Sequence, residues 1–352
     1  MNRKIGVALS YVLMIFEVLS TLLLTPFIIR TLGQSEYGVY KLSAAITAYV
    51  LLLDLGVGNA VTRFVAKYRV NGEEEQNRRF FGISLVYYGG IAVLSLLIGL
   101  IMVAIFPTVF AKGLSPEETL LGEKLLGITM LNAAVTLGTA AFPNILIAYE
   151  RFAFSRLCSI AQIILRMGMT LIALKLGMGS MGIVLINLVL TIFLRLIFAG
   201  YTFFVLKLYP TLHGVHKDFI KEIIAYSSWI LLQMIATQIN AYADQVLIGA
   251  LVSASAVILA VYSVGTQIVQ YFQSLGSAFN GVLMPGIVSL VEKGASSKRL
   301  CEEMIRIGRI ILLFLGLVFI GFFAFGRQFI ELWAGTDYSN AYYVACILMP
   351  AY

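Results

Sequence analysis

The sequence predicts an all-α polytopic membrane protein with two six-helix lobes in parallel repeat. The second lobe is truncated here, so the chain has nine full helices and part of a tenth. Two observations lead to this fold class. Hydrophobic residues make up 60% of the chain and charged residues only 12%, with a mean hydropathy of +0.92. No soluble core could bury that much apolar surface. Apolar runs of roughly 20 residues also recur, which is the length that crosses a bilayer.

The apolar runs give the helices in order. We predict spans at residues 6–29, 38–62, 81–106, 120–147, 154–174, 182–206, 223–247, 255–283 and 305–325. The first run follows Arg3 and Lys4, as in a signal peptide, but it is too long for one and contains Glu17, so we interpret it as a retained helix. A tenth run begins near Ala341 and has about a dozen residues, too few to cross. We therefore expect a complete chain to continue.

The longest break between apolar runs that carries both charge signs divides the chain. We predict a six-helix lobe at 1–206, a cytoplasmic linker at 207–222 and an incomplete lobe at 223–352. A loose internal repeat supports parallel lobes, because the pairs VY and LG at 39–40 and 55–56 recur at 261–262 and 275–276. Parallel repeats related by an axis along the membrane normal occur in secondary transporters.

Lys and Arg are distributed unequally between the loops. Of the 25 basic residues, 17 fall on the side of the N-terminus, six on the opposite side and two within helices. By the positive-inside rule, the N-terminus and the charged loops are predicted to be cytoplasmic. The basic residues responsible for the net charge of +7 lie in short loops between apolar runs, where they set the membrane topology. We therefore exclude a nucleic-acid partner.

Four charged residues lie deep within predicted helices of the first lobe, away from the helix ends: Glu17, Asp54, Arg166 and Arg195. Charged side chains at membrane depth are unfavourable, and each one therefore suggests a function. Two interpretations stay open. The two acids could pair with the two bases as structural ion pairs, or at least one arginine could face a water-filled cavity between the lobes.

Uncharged polar residues recur at helical spacing along several predicted spans, and three of them are candidates for binding substrate: Asn240, Gln267 and Gln270. Such stripes could line the same cavity. The alternative is that they join packed helices through hydrogen bonds of about 0.6 kcal/mol each. For single Ser and Thr residues we favour the structural interpretation.

Several other patterns carry no function. Gly177, Gly179 and Gly182 form a GxGxxG, but no strand precedes them, so we predict a turn between two helices. His213 and His216 lie three residues apart without a nearby cysteine, which favours a solvated linker over a metal site. The three cysteines are isolated and indicate neither disulfides nor zinc.

The early stretch LGQSEYGVYKLSAAI, followed by LLLDLGVGNAVTRFVAKY, resembles the N-terminal signature of the Wzx-type polysaccharide and O-antigen flippases. These oligosaccharide flippases, or polysaccharide biosynthesis proteins, belong to the multidrug/oligosaccharidyl-lipid/polysaccharide exporter superfamily. The resemblance implies a multi-pass protein of a bacterial or archaeal cytoplasmic membrane. It implies movement of a polyprenyl-diphosphate-linked oligosaccharide to the outer leaflet by alternating access. Membrane lipids, a polysaccharide polymerase and chain-length regulators are the implied partners.

This chemistry suggests roles for the polar residues. Arginine has the forked geometry for phosphate oxygens, so we expect Arg166 and Arg195 to face the diphosphate. We expect Asn240, Gln267 and Gln270 to contact sugars. No cofactor is expected beyond a coupling proton or sodium ion, for which Glu17 and Asp54 are the alternative sites.

Three other functions were weighed. A multidrug or cation antiporter of the same superfamily would share the fold but should favour acids in its cavity. A membrane polysaccharide polymerase would need a large outer loop, whereas the longest one, near residues 107–119, is too short, and we therefore expect a protein that is not an enzyme. A structural scaffold would leave the charges at membrane depth unexplained.

Overall fold

The described part of the chain is helical throughout. A computed structural model describes residues 3–211, 217–292 and 294–351, and these residues contain helices and turns but no strand. The α-helices are α1 (Arg3–Val50), α2 (Val57–Asn71), α3 (Glu74–Phe110), α4 (Pro116–Gly138), α5 (Ala141–Ala148), α6 (Phe152–Lys175), α7 (Gly179–Gly200), α8 (Lys217–Leu251), α9 (Ser255–Glu292), α10 (Ser297–Trp333) and α11 (Ala341–Leu348). The predicted all-α class is confirmed.

Seven stretches of the described chain are long and apolar enough to cross a membrane. They are Leu9–Asn71, Glu74–Phe110, Pro116–Ala148, Phe152–Lys175, Gly179–Val205, Ser255–Ser277 and Ser297–Trp333. The first has 63 residues, enough for two crossings, and it is interrupted at Gly33, whose φ of 72° and ψ of 176° are not helical. The protein is therefore a multi-pass membrane protein, as predicted.

Hydrogen bonds between helix ends give the topology of the first part of the chain. After the break at Gly33, Ser35 donates to Glu118 at the start of α4, and Glu36 accepts from the backbone N–H of Ser180 at the start of α7, 2.6 Å away. These three ends therefore lie together. Near the opposite end, Arg156 in the first turns of α6 donates to Ser10 in α1.

The chain forms two compact units, Met1–Leu259 and Ala260–Tyr352. In the first unit, α8 packs on α1, α2 and α3. The predicted lobes have different boundaries, because the first was predicted to end at residue 206 and the second to begin at residue 223. Those boundaries remain a prediction. Positions 212–216 of the predicted linker, with His213 and His216, lie outside the described residues.

Two hydrophobic cores lie along the helices of the first unit. One core takes Leu42 from α1, Phe106 from α3 and Leu125 from α4. The other takes Phe64 from α2 and Phe80 from the opposite end of α3. Because α3 contributes to both, the two cores are stacked along its length, one toward each end of the helix.

The chain breaks its helices between these two cores. The predicted helix 38–62 was expected to be continuous, and this expectation was wrong: a 3₁₀ turn at Leu51–Asp54 ends it, and α2 starts only at Val57. The cause is local, since Leu55 and Gly56 adopt left-handed φ values of 52° and 73°. The predicted helix 120–147 is also interrupted, between α4 and α5. In the internal repeat, Leu275–Gly276 lies inside the continuous helix α9, so the two LG sites differ in conformation.

The second unit consists of most of α9 together with α10, α11 and short 3₁₀ turns. Tyr271 and Trp333 meet edge to face with ring centroids 6.4 Å apart. The Tyr342 hydroxyl donates to the carbonyl of Phe323 at 2.8 Å. The apolar side chains of α10, such as Leu313, are largely exposed, as expected for a helix that contacts lipid.

Candidate functional site

The two predicted coupling acids occupy different environments. Glu17 lies on α1 and is exposed, beside the exposed side chains of Ile15 and Phe16. Its backbone carbonyl accepts a bond from Ser20, but within the described residues its carboxylate has no ion-pair partner. Asp54 is partly buried at the helix break between the two cores.

Asp54 is held by a neutral partner. Its Oδ1 accepts a hydrogen bond of 2.9 Å from the hydroxyl of Tyr88, a fully buried residue of α3. The adjacent Tyr87 packs its ring against Tyr88 with centroids 5.3 Å apart, and its hydroxyl feels the charge of Asp54. The Tyr87 hydroxyl oxygen is buried and has no hydrogen-bond partner within the described chain. The carboxylate therefore sits among phenols without a cation.

Asn144 of α5 completes this cluster, which we call the Asp54 cluster: Asp54, Tyr87, Tyr88 and Asn144. The Asn144 amide interacts with the Tyr88 hydroxyl and donates to the carbonyl of Ala140 at 2.8 Å. It also fills the space beside Gly58, where a Cβ would lie 2.8 Å from its Nδ2. A larger residue at position 58 would therefore have to displace the amide.

The sequence analysis predicted Asp54 but missed its three partners. Tyr87 and Tyr88 stand in an apolar run where tyrosine is unremarkable, and Asn144 follows Pro143 near a predicted helix end. The available signal was the acid directly before Leu55 and Gly56, because an acid next to glycine inside an apolar run can mark a helix break.

The two predicted arginines lie on neighbouring helices at different depths. The turn at residues 176–178 joins α6 to α7, so the helix ends beside it lie at one level. Arg166 is about 14 Å from this end of α6, and Arg195 is about 24 Å from the corresponding end of α7, at 1.5 Å per residue. Their Cα atoms are therefore separated by about 10 Å along the helix axes. This spacing is too large for a side-by-side pair.

Neither arginine has an acidic partner. Both are half-buried, and within the described residues neither makes an ion pair or a hydrogen bond. In the described chain, the alternative in which the arginines pair with Glu17 and Asp54 is not observed. The pairs Arg79–Glu75, Arg306–Glu303 and Arg327–Glu331 each join residues three or four apart on one helix.

The three predicted sugar-binding residues fall in both units. Asn240 is exposed on α8 in the first unit. In the second unit, Gln267 is buried and donates through Nε2 to the Tyr271 hydroxyl at 2.7 Å, whereas Gln270 one turn away is exposed. The exposed amides of Asn240 and Gln270 can bind a ligand directly. The amide of Gln267 would first have to break its hydrogen bond to Tyr271.

Most predicted hydroxyl stripes have structural roles. Ser159, Thr237 and Ser274 each donate to the carbonyl four residues earlier in their own helix. Thr47 of α1 and Thr129 of α4 form one bond between helices, at 2.8 Å. These bonds agree with the structural interpretation of single Ser and Thr residues. Gly177 and Gly179 have positive φ values in the turn before α7, as predicted for the GxGxxG.

The described residues contain no group of three or more His, Cys, Asp or Glu side chains that could hold a metal ion. The Asp54 cluster combines one carboxylate with the neutral polar groups of Tyr87, Tyr88 and Asn144. Such a set suits a singly charged cation or a proton rather than a divalent metal, which usually recruits more than one carboxylate.

Comparison with known proteins identifies the family. Residues 6–291 match the family described as "Polysaccharide biosynthesis protein". The chain belongs to this polysaccharide biosynthesis protein family. The match spans the whole first unit apart from its first five residues and includes the Asp54 cluster and both arginines. The Wzx-type resemblance of the early stretch is confirmed at the level of the family. A search of the curated proteins gave no match.

Solved structures share the fold of this family member. A mutant of the Vibrio cholerae MATE transporter VcmN aligns with a TM-score of 0.64 at 15% identity, covering 98% of this chain and 79% of that one. A MOP superfamily transporter from Pyrococcus furiosus aligns at 0.58 and 17%, covering 99% and 77%. A MATE protein in complex with MaL6 gives 0.61 and 17%, covering 98% and 78%. This polysaccharide biosynthesis protein therefore has the fold of MOP superfamily transporters.

Proposed function

We propose that the protein is a secondary transporter, and not an enzyme, that moves a polyprenyl-diphosphate-linked oligosaccharide from the inner to the outer leaflet by alternating access. Its N-terminus and charged loops face the cytoplasm, and it works in the cytoplasmic membrane. The family and the MOP fold support this proposal at a coarse level. The observation that carries it further is the pair of arginines at membrane depth that have no acidic partner among the described residues.

The physical argument starts from the substrate. A diphosphate and many hydroxyl groups cannot enter hydrocarbon without replacement for their hydration. An arginine near the middle of a membrane helix is itself unfavourable by about 2.5–3.5 kcal/mol on insertion scales, so it is retained where it binds something. Unpaired guanidinium groups offer five donors each to an anion. Arg166 and Arg195 are the candidates for binding phosphate oxygens.

Their different depths suggest successive contacts. A diphosphate extends only a few ångströms, less than the separation of about 10 Å between the two Cα atoms along the axes. Under the proposed orientation, Arg195 lies nearer the cytoplasm and Arg166 nearer the outside. The diphosphate would therefore meet Arg195 first and Arg166 later. Asn240, Gln267 and Gln270 remain candidates for the sugar hydroxyls, with Asn240 and Gln270 exposed.

The test is leaflet exchange of a lipid-linked oligosaccharide in proteoliposomes. We expect Arg166→Gln and Arg195→Gln each to lower the rate about tenfold to a hundredfold, since a hydrogen bond to a charged group contributes about 1.5–3 kcal/mol. The double variant should be inactive. Arg→Lys at either site keeps the charge but loses the fork, so its rate should be intermediate.

The matched control is Arg306→Gln, which removes an exposed guanidinium that pairs with Glu303 on its own helix. It should exchange at the wild-type rate. Each variant must be present in the membrane at the wild-type level. A double arginine variant with normal exchange would refute the assignment of these residues.

A multidrug or cation antiporter is the second candidate, and the MATE fold favours it. This alternative predicts that transport depends on acidic residues and not on the two arginines. Transport of a cationic dye would require acids and would tolerate loss of the arginines. Dye efflux that is retained in the double arginine variant, without any leaflet exchange by the wild type, would support this alternative.

A further inference from the structure

We propose that the Asp54 cluster binds one sodium ion. The assignment deepens the proposed function and rests on it only for the role of the ion in transport, because sodium binding can be measured without any substrate. Four features of the cluster carry it: an acid without a cation, an unpartnered phenol oxygen, an adjacent amide and a helix break.

The first feature is the charge of Asp54. Within the described residues, its carboxylate accepts a hydrogen bond from neutral Tyr88 and has no ion pair. A partly buried carboxylate at membrane depth is unfavourable unless a cation compensates it or a proton neutralises it. The nearest described basic residue in the sequence, Arg63, is on α2 about two helical turns beyond the break.

The second feature is the oxygen of Tyr87. It is buried, lies in the field of Asp54, and has no hydrogen-bond partner in the described chain. Buried polar atoms are almost always satisfied, so an unsatisfied one beside a carboxylate indicates a ligand. A cation bound to Asp54 would provide the phenol oxygen with an electrostatic partner.

The third feature is the supply of further neutral oxygens. Asn144 uses its Nδ2 to donate to Ala140, and its Oδ1 is the one atom of the amide that could bind a cation. The packing of Asn144 against Gly58 fixes the amide at this place. A sodium ion at this place would then be bound by one carboxylate, from Asp54, and by the uncharged oxygens of Tyr87, Tyr88 and Asn144. That composition favours a singly charged ion.

The fourth feature is the break itself. The last four carbonyls of a helix have no partner within that helix. In secondary transporters, unwound backbone near the membrane centre coordinates sodium through such carbonyls. Here the chain passes from the 3₁₀ turn Leu51–Asp54 through two left-handed residues before α2 begins. The break therefore places unwound backbone beside the Asp54 carboxylate. The Leu52 carbonyl there accepts from the backbone N–H of Leu55, and the Ala48 carbonyl accepts from Nε2 of Gln238 at 2.6 Å.

The experiment measures sodium binding to the purified full chain without oligosaccharide. Sodium chloride replaces choline chloride at constant ionic strength and pH, and both the thermal midpoint and the retention of radioactive sodium are recorded. A ligand that binds only the folded state raises the midpoint in proportion to its saturation. We expect a saturable rise for the wild type. The apparent sodium affinity should fall at least tenfold in Asp54→Asn, and it should also fall in Tyr87→Phe.

The matched control is Glu123→Gln, which neutralises a partly exposed acid of α4 outside the cluster and should keep the wild-type response. If Asp54→Asn does not fold, the test is sodium retention by the wild type compared with Tyr87→Phe, which removes only one oxygen. Weaker retention by Tyr87→Phe would support the proposal. An equal sodium response in wild type and Asp54→Asn, or a wild type that responds to pH but not to sodium, would overturn the proposal. Sodium binding without leaflet exchange would leave this inference standing and remove the flippase function.

Discussion

Replacing Gly38 with alanine should lower the stability of the first unit. Gly38 is buried, and a Cβ at this position would lie 2.6 Å from the carbonyl carbon and 3.0 Å from the Cα of Ala256, and nearer still to the carbonyl oxygen. All three atoms belong to backbone, which cannot rotate away as a side chain could. The first turn of α9 must therefore retreat from α1 by an ångström or more.

The magnitude follows from two opposing terms. Alanine is favoured over glycine inside a helix by about 1 kcal/mol. Forcing extra volume into a packed interface costs about 1–3 kcal/mol, and a backbone overlap lies at the upper end of that range. The net loss of unfolding free energy is therefore about 2 kcal/mol. At roughly 2–4 °C per kcal/mol, the midpoint of thermal unfolding should fall by about 4–8 °C.

The matched control is Gly168→Ala on α6. Gly168 is exposed, and a Cβ there would meet nothing within 4 Å, so only the gain in helix propensity remains. Unfolding of the detergent-solubilised protein, followed by circular dichroism, should rank the proteins as Gly168→Ala, wild type, Gly38→Ala in order of decreasing midpoint. Equal midpoints for the two alanine variants would show that the close approach of α1 to Ala256 is not part of the packed state.

Two further substitutions test local structure. Ser115→Ala removes the capping box at the start of α4, where the Ser115 hydroxyl accepts from the backbone of Glu118 and the Glu118 carboxylate accepts from the backbone of Ser115. It should destabilise the protein by about 1 kcal/mol in the same unfolding assay, and Ser115→Asp should restore the loss. Thr47→Val removes the bond to Thr129 but keeps the side-chain shape. It should lower the unfolding free energy by about 0.6 kcal/mol, and a much larger effect would mean that Thr47 has another role.

The helical spans could be predicted because hydrophobic length is a property of single segments. A run of about 20 apolar residues must cross or be buried, whatever its neighbours do. The predicted spans 81–106, 154–174 and 305–325 accordingly fall inside α3, α6 and α10. The helices extend further than predicted, because polar residues at their ends continue the helix beyond the apolar run.

The helix break at Leu55–Gly56 could not be predicted by the same reasoning. Hydropathy does not register a change of φ at two residues, and the run LLLDLGVG is apolar on both sides of the break. The partners of Asp54 were missed for a related reason. Tyr88 and Asn144 lie 34 and 90 positions further along the chain, so their meeting depends on how α3 and α5 pack. A sequence without an alignment gives no information on that packing.

The charges at membrane depth are held in a way that a purely structural role does not explain. A scaffold would neutralise Arg166 and Arg195 with Glu17 and Asp54, because a mutual ion pair removes much of the penalty of burying either charge. The described residues instead place Asp54 against Tyr88, and neither arginine forms an ion pair among them. Phenol hydroxyls can orient a charge but leave it uncompensated. An anion at the arginines and a cation at Asp54 would therefore not displace one another, and each would meet a charge that the protein itself does not cancel. Under the function proposed above, separate sites of opposite sign would allow transport of an anionic lipid substrate to be coupled to a cation gradient.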